Sequence, residues 1–142
     1  MRNVSQILER KGNRIIAVSP DAPVLEAIRL MAEHHIGAVL VMREDELIGI
    51  ASERDYARKV ILQGRSSSDT PVSTIMSGPV ICVGPLDSVN DCMSIMTERH
   101  IRHLPVLEGS RLVGVVSIGD LVKELIEEQK QEISYLQQYI AS

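Results

Sequence analysis

Hydrophobic positions in the first half of the chain alternate between helical spacing and short continuous runs. Over Val24–His34, apolar residues recur at intervals of three and four, which is typical of one face of an amphipathic helix. Two apolar runs, Ala38–Met42 and Leu47–Ala51, flank a charged turn and predict a pair of buried strands. A buried strand at Ile15–Val18 and a helix over residues 53–62 complete the order strand, helix, strand, strand, helix.

The second half follows the same plan, and a short helix precedes the first half. The predicted strands are Val80–Val83, Leu104–Leu107 and Leu112–Val116. The predicted helices are Val4–Arg10, a helix capped by Asp87 or Ser88 that ends at Arg99, and a last helix from Ile118 to Tyr139 or beyond.

The last predicted helix is longer than this plan requires. Its first turns carry four apolar residues that we expect to face inward, namely Leu121, Val122, Leu125 and Ile126. Further apolar residues then recur at helical spacing, namely Ile133, Leu136, Tyr139 and Ile140. A chain of this size has little other surface to cover them, so they predict a homodimer that the helix helps to hold together.

The chain is an internal repeat. At an offset of 65 residues (120 − 55), Asp55 falls on Asp120 and Ser52 falls on Ser117, and the match continues without a gap on both sides. The lead-in Val4–Leu8 also resembles residues 72–76. The repeat predicts a first unit over residues 1–65 and a second over 66–142, with the polar stretch 64–71 as connector.

Composition excludes several classes of function. A formal charge of −4 gives no electrostatic footprint for nucleic acid, and three tyrosines without Phe or Trp provide no base-stacking platform. The N-terminus has no apolar signal region and no apolar run is long enough for a membrane span, so we expect no membrane association and a cytoplasmic location. Cys82 and Cys92 lack metal or disulfide spacing and are expected to be reduced core residues.

Two Ser-x-x-Asp sequences stand where a strand is followed by a helix, at Ser52 to Asp55 and at Ser117 to Asp120. One interpretation is a capping box, in which the hydroxyl and the carboxylate satisfy backbone N–H groups. The other is an anion site, because a helix N-terminus offers free N–H donors. The two roles are compatible, and spacing alone leaves both open.

Other polar residues give weaker signals. Arg102 and His103 precede an apolar strand and are either solvated rim charges or ligands of a phosphate. Four histidines invite a metal hypothesis, but no Cys or carboxylate completes a ligand set at a recognisable spacing, so we expect no metal. No nucleophile motif, P-loop or dinucleotide fingerprint is present, and we expect no enzyme.

Three motifs carry a family resemblance. They are Val-x-Pro before the amphipathic helix of each copy, His-Ile-Arg-His-Leu-Pro-Val at 100–106, and Leu-Val-Gly-Val-Val-Ser-Ile-Gly-Asp-Leu at 112–121. Together they resemble the cystathionine β-synthase (CBS) domain, present as a tandem pair over residues 4–126. The resemblance implies an α/β fold of two βαββα units around a pseudo-twofold axis, with sheets packed together, helices outside and two clefts between the units.

The resemblance also implies roles for individual residues. Ribose hydroxyls would be received by Asp120 and Asp55. Phosphates would lie near Ser117, Arg102, His103, Ser52 and Arg54. The adenine would lie against Val80, Ile81, Leu104, Pro105, Gly37 and Ala38. The first copy departs from the pattern, since Gly37–Leu40 replace the basic pair and proline of residues 102–105. The Asp120 site is therefore expected to be the better one.

The implied function is regulatory. A CBS pair would sense an adenosyl nucleotide such as AMP, ADP, ATP or NAD(H) and pass the signal to an unidentified regulated protein through its shape or its dimer contacts. The competing hypothesis is a protein interaction module whose clefts are vestigial and whose C-terminal helix is the working surface.

Overall fold

The computed structural model describes residues 2–141 and confirms the mixed α/β class with two units, each with a small sheet and helices. The helices are α1 (Val4–Lys11), α2 (Val24–His34), α3 (Glu53–Tyr56, continued by π-helical turns over Ala57–Ile61), α4 (Val89–Arg99) and α5 (Ile118–Ala141). The strands are β1 (Ala17–Val18), β2 (Ala38–Arg43), β3 (Glu46–Ser52), β4 (His103–Glu108) and β5 (Arg111–Ser117).

The two compact units do not coincide with the two sequence copies. Residues Ile15–Ile81 form one of them, which we call the continuous unit. The stretch that ends at Arg14 joins the stretch from Cys82 onward in the other, which we call the segmented unit. The N-terminal helix α1 is therefore part of the fold built by the second copy.

The lead-in segments, Val4–Leu8 and residues 72–76, are exchanged between the two copies. Each lead-in makes backbone hydrogen bonds to the copy that it does not precede, and these bonds are equivalent in the two units. In the continuous unit, the Val72 N–H donates to the Ala22 carbonyl oxygen at 2.8 Å. In the segmented unit, the Val4 N–H donates to the Asp87 carbonyl oxygen at 3.0 Å. These donors and acceptors occupy matching positions of the repeat. Each lead-in thus serves the other copy, which is why the compact units differ from a division after Arg65.

A glycine on one strand of each unit makes room for the exchanged lead-in. A Cβ on Gly114 of β5 would lie 2.8 Å from Leu8 Cδ2, and a Cβ on Gly49 of β3 would lie 2.6 Å from Met76 Sδ. Both distances are too short for any side chain to be accommodated without movement. Leu8 of α1 therefore packs directly against Gly114, and a side chain at this position would require Leu8 to move.

The polar stretch predicted as a connector lies inside the continuous unit and caps α2. The Val24 N–H donates to the Thr70 carbonyl oxygen at 2.8 Å, and the Leu25 N–H donates to the Ser67 carbonyl oxygen at 3.0 Å. These bonds satisfy the first donors of a helix whose N-cap, Pro23, has no capping side chain.

The antiparallel pair β2-β3 and the antiparallel pair β4-β5 have the same register. Val41 of β2 pairs with Gly49 of β3, and Val106 of β4 pairs with Gly114 of β5, with an irregularity next to each pair. In the continuous unit, β1 adds a parallel strand beside β2 and gives the order β1-β2-β3. Within residues 2–141, the sheet of the segmented unit is the β4-β5 pair, with an isolated bridge from Val83 to Val106.

The predicted strand Val80–Val83 is wrong, because only Val83 makes a bridge, to Val106. In the continuous unit the Leu40 N–H donates to the Ile16 carbonyl oxygen at 3.1 Å and extends the ladder. Pro105 stands at the position of Leu40 and has no N–H to donate, so this ladder cannot extend beyond Val83. Pro105 does accept a bond from the Val83 N–H at 3.0 Å.

Helix α5 presents a different face to the core than its apolar spacing predicts. Leu121 is fully buried as expected, but Val122 and Ile126 are 41% and 47% exposed, so the prediction that they face inward is wrong. The buried position one turn after Leu121 is Glu124, which is 3% exposed. Ion pairs of Glu124 with Arg10 of α1 and with Arg2, which precedes α1, provide the physical reason.

Three further sequence predictions concern the first strand, the burial of Cys92 and membrane spans. Ile15 is exposed, and the first strand is shorter than expected. Cys92 is buried in α4, where burial and then the charges of Asp87 and Asp91 raise the pKa of its thiol to about 11. Over residues 2–141, no helix combines the length and apolar character that a bilayer crossing requires.

Candidate functional site

The junction between β5 and α5 forms a reciprocal cap. The Asp120 N–H donates to Ser117 Oγ at 3.2 Å, and the Ser117 N–H donates to Asp120 Oδ2 at 2.8 Å. The capping interpretation of Ser117 and Asp120 is therefore correct as local geometry. It fixes the carboxylate at the N-terminal end of a 24-residue helix, where free N–H groups favour negative charge.

Two basic residues lie at the same junction, Arg102 just before β4 and His103 at the start of that strand. His103 pairs with Ser117 across the sheet, and the Arg102 carbonyl oxygen accepts a bond from the Ile118 N–H at 2.9 Å. Arg102 is exposed and His103 is half-buried. Four residues that the sequence singled out, namely Arg102, His103, Ser117 and Asp120, are thus gathered in one unit.

Lys11, the last residue of α1, completes this group and was missed by sequence reasoning. Its Nζ lies 2.7 Å from Asp120 Oδ2 and 2.9 Å from the Val115 carbonyl oxygen. The side chains of Lys11 and Asp120 are 39% and 23% exposed, so solvent reaches both. A separation of 109 residues leaves no local signal for this contact.

Opposing effects set the ionisation of this site. Burial acts to raise the pKa of Asp120, but hydrogen bonds from Lys11 and the Ser117 backbone, with the charge of Lys11, outweigh it and hold the pKa below its ordinary value. Burial first, then the charges of Lys11 and Arg102, lower the pKa of His103 against the opposing charge of Asp120. At neutral pH the carboxylate is ionised and the imidazole is neutral.

The equivalent junction of the continuous unit has the same cap geometry, but the lysine that pairs with its aspartate comes from a different part of the chain. Ser52 and Asp55 form the same reciprocal cap, at 3.0 and 3.1 Å. The lysine partner is Lys59, whose Nζ lies 3.4 Å from Asp55 Oδ1 and 3.0 Å from the Ile75 carbonyl oxygen. Lys59 is four residues from Asp55 on the same helical segment, a spacing that the sequence could have revealed.

The remaining predicted site residues are distributed over both units. Arg54 is exposed beside this second cap, and Gly37, Ala38, Val80 and Ile81 of the continuous unit are half-buried. In the segmented unit, Leu104 and Pro105 are buried. Leu104 is fully covered and packs as a core residue. An adenine role for these residues stays a prediction.

Among residues 2–141, no group of three or more His, Cys, Asp or Glu side chains lies close enough together to hold a metal ion. His35 and His100 instead occupy matching positions immediately after α2 and α4. Both have a left-handed backbone with φ of 55°, and each cap N–H donates to a helix carbonyl oxygen. Their role is to end the helices.

Comparison with known proteins gives a consistent result. A family model described as the CBS domain matches residues 4–61 and 72–127. The mitochondrial CBS domain-containing protein CBSX3 of Arabidopsis thaliana is 38% identical, over 96% of this chain and 71% of that protein. CBS domain-containing protein YhcV of Bacillus subtilis (strain 168) is 35% identical, over 83% of this chain and 84% of that protein.

Solved structures show the same fold. A protein with CBS domains from Burkholderia ambifaria MC40-6 has a TM-score of 0.86 and 51% identity, over 89% of this chain and 96% of that chain. The CBS domain pair of protein MJ0100 has a TM-score of 0.80 and 22% identity, over 90% of this chain and 98% of that chain, and shows similarity of fold alone. That pair was solved with methylthioadenosine and S-adenosyl-L-methionine.

Proposed function

Because the chain belongs to the CBS domain family and carries two such domains in tandem, we propose that it senses an adenosyl nucleotide at the Asp120 junction. The CBS pair is a regulatory module, and the relatives compared above carry no catalytic names. The candidate ligands are AMP, ADP, ATP and NAD(H). A cytoplasmic location and an unidentified regulated protein are part of the same proposal.

The observation that carries this proposal is the grouping of Asp120, Ser117, Arg102 and His103 in one unit. The contacts that Asp120 makes with Lys11 and the Ser117 backbone both use Oδ2, so Oδ1 is the oxygen that would accept ribose hydroxyls. An Arg fork and a helix N-terminus both suit phosphate. The bound compounds in the MJ0100 pair support an adenosyl ligand, although neither of them carries a phosphate.

The proposal is tested by thermal denaturation and calorimetry with AMP, ADP, ATP, NADH and adenosine. A ligand at a hundred times its Kd adds about 2.7 kcal/mol of stability, so a true ligand is expected to raise the Tm by several degrees. A Tm that stays unchanged with every one of these compounds at millimolar concentration would overturn the proposal.

Nucleotide affinity is expected to rise as the pH falls. In the free protein, burial and the charges of Lys11 and Arg102 lower the pKa of His103, and the charge of Asp120 opposes them. A phosphate bound beside His103 would favour the charged imidazole and so raise this pKa. Binding should therefore be coupled to proton uptake and tighten by about fivefold, or ~1 kcal/mol, between pH 8 and a pH below 6.5. Calorimetry in two buffers of different ionisation enthalpy measures the protons taken up.

The control for this coupling is His103→Gln, which keeps a polar side chain but cannot titrate. The phosphate's own titration is common to both proteins, so the difference between their pH profiles isolates the histidine. Identical profiles would remove His103 from the phosphate site. In the free protein the same depressed pKa means that stability is complete above 6.5 and decreases as the pH falls through and below that value.

A second candidate function, protein interaction through the C-terminal helix, is favoured by the exposed apolar residues of α5. Ile133, Leu136, Tyr139 and Ile140 are 56%, 62%, 80% and 81% exposed. We propose that a second copy of the chain covers them. Relatives include a hexameric CBS-CP12 protein from bloom-forming cyanobacteria, at 26% identity and a TM-score of 0.76.

Ending the chain after Gln131 is expected to shift the mass measured by sedimentation towards the monomer, because four exposed apolar side chains are removed. Leu86→Ser is the control, since Leu86 is 85% exposed and lies off α5. It should leave the mass unchanged. A truncated chain that stays as dimeric as the full chain would contradict the role of the tail.

A further inference from the structure

We propose that Lys11 determines the ligand class of the Asp120 site, favouring adenosyl ligands that carry phosphate over uncharged adenosyl compounds. This inference rests on the proposed function and adds to it a residue from α1, outside both the Ser-x-x-Asp and the Arg-His sequences. It follows from the position, the fixation and the charge of the Lys11 ammonium group.

The Lys11 side chain is held at the junction without being buried. Two acceptors, Asp120 Oδ2 at 2.7 Å and the Val115 carbonyl oxygen at 2.9 Å, fix two of the three ammonium donors. The side chain remains 39% exposed, so the third donor can be reached by a ligand from solvent. Its contact with Oδ2 also leaves Oδ1 as the oxygen of Asp120 for ribose.

The helix that carries Lys11 is anchored at several points. Arg2, before its first turn, and Arg10 both pair with Glu124, at 2.5 and 3.1 Å. Leu8 packs against Gly114 of β5, where an added Cβ would have to displace the Leu8 side chain. Little conformational freedom is then lost when a ligand meets Lys11, and such preorganisation increases affinity.

The charge balance of the junction is positive. Lys11 and Arg102 are cationic, Asp120 is the carboxylate, and His103 adds a further positive charge when protonated. The electrostatic influence of Lys11 on both Asp120 and His103 shows that all three groups share one local field. A phosphate gains from this field, an uncharged adenosyl compound gains nothing from it, and a sulfonium is repelled.

The second junction provides an internal comparison. Its lysine, Lys59, comes from the same helical segment as Asp55, contacts Oδ1 at 3.4 Å and therefore competes for the other carboxylate oxygen. Position 102 of the segmented unit corresponds to Gly37 here, which carries no charge. Selection for phosphate through an exchanged helix is thus a property of the Asp120 site.

The test compares ADP with adenosine on wild type, Lys11→Met and Lys123→Met by calorimetry at low and at physiological salt. Met keeps the length of the stem and removes the charge. Lys123 is exposed on α5 of the same unit and serves as the matched control. Wild type should bind ADP at least tenfold more tightly than adenosine. Lys11→Met should lose most of this preference, with adenosine affinity within about threefold of wild type.

The outcomes separate the inference from the function on which it rests. Equal affinity of wild type for ADP and adenosine would overturn selection by charge and leave adenosyl binding intact. Equal weakening of both ligands in Lys11→Met would show that Lys11 acts on ribose through Asp120 and not on phosphate. Loss of the preference in Lys123→Met as well would assign it to net charge. Failure of the wild-type protein to bind either compound would contradict the proposed function itself. If Lys11→Met melts early, Lys11→Gln serves as the second uncharged variant.

Discussion

Glu124→Gln is expected to lower the free energy of unfolding by about 3–5 kcal/mol, the usual cost of removing one partner from a buried ion pair. Glu124 is 3% exposed, and its carboxylate forms ion pairs with Arg2 Nη1 at 2.5 Å and with Arg10 Nη1 at 3.1 Å. The side chain of Arg2 is only 12% exposed and would lose its anionic partner, although a bond to Gln131 remains. Urea denaturation measures the change.

Two further variants make this result interpretable. Glu132→Gln makes the same chemical change at an exposed position of α5 and should alter stability by less than about 0.5 kcal/mol. Adding Arg2→Met to Glu124→Gln removes the uncompensated charge and should recover part of the loss, as apolar replacement of a buried pair often does. A double variant that is less stable than Glu124→Gln by the full cost of Arg2→Met alone would show that the two residues do not interact.

Asp120→Ala is expected to weaken nucleotide binding by roughly ten- to a hundredfold, which corresponds to about 1.5–3 kcal/mol for a charge-assisted hydrogen bond. The same change removes a helix cap, which typically costs about 1 kcal/mol of stability. It also removes the hydrogen bond between the carboxylate and Lys11. Calorimetry of binding and thermal denaturation of the free protein must therefore be measured together.

Asp55→Ala is the matched control, because it removes an equivalent reciprocal cap from the other junction. It should destabilise the free protein about as much as Asp120→Ala while reducing nucleotide affinity less. A destabilised Asp120→Ala protein with an unchanged Kd would show that Asp120 is a cap and nothing more.

Most of the secondary structure could be predicted from the sequence, since its causes are local. Periodicity placed α2 at the bounds that the structure has, and Ser88 caps α4 through a bond from the Asp91 N–H. Both Ser-x-x-Asp caps are closed by residues three apart, so the capping interpretation could be reached from the spacing. The prediction of a strand at Val80–Val83 was wrong because an apolar run does not reveal whether its partner strand can donate hydrogen bonds. Here the partner residue is Pro105, which has no N–H to donate.

The candidate site was predicted only in part for the same reason. Arg102, His103, Ser117 and Asp120 lie within one stretch of the chain, and the β4-β5 hairpin that brings them together could be read from its apolar runs and turn. Lys11 reaches Asp120 only because α1 leaves its own copy and packs beside β5. Neither the charge nor the spacing of Lys11 predicts that contact.

The sequence by itself determined the repeat, the order of the elements and the two capped junctions, all of which depend on interactions within a few residues or on the chain's similarity to itself. The tertiary structure decided which copy each lead-in joins, and with it the ion pairs of Lys11 and of Glu124. Those choices depend on the fit of Leu8 and Met76 against Gly114 and Gly49, and side-chain packing of this kind has no period along the chain.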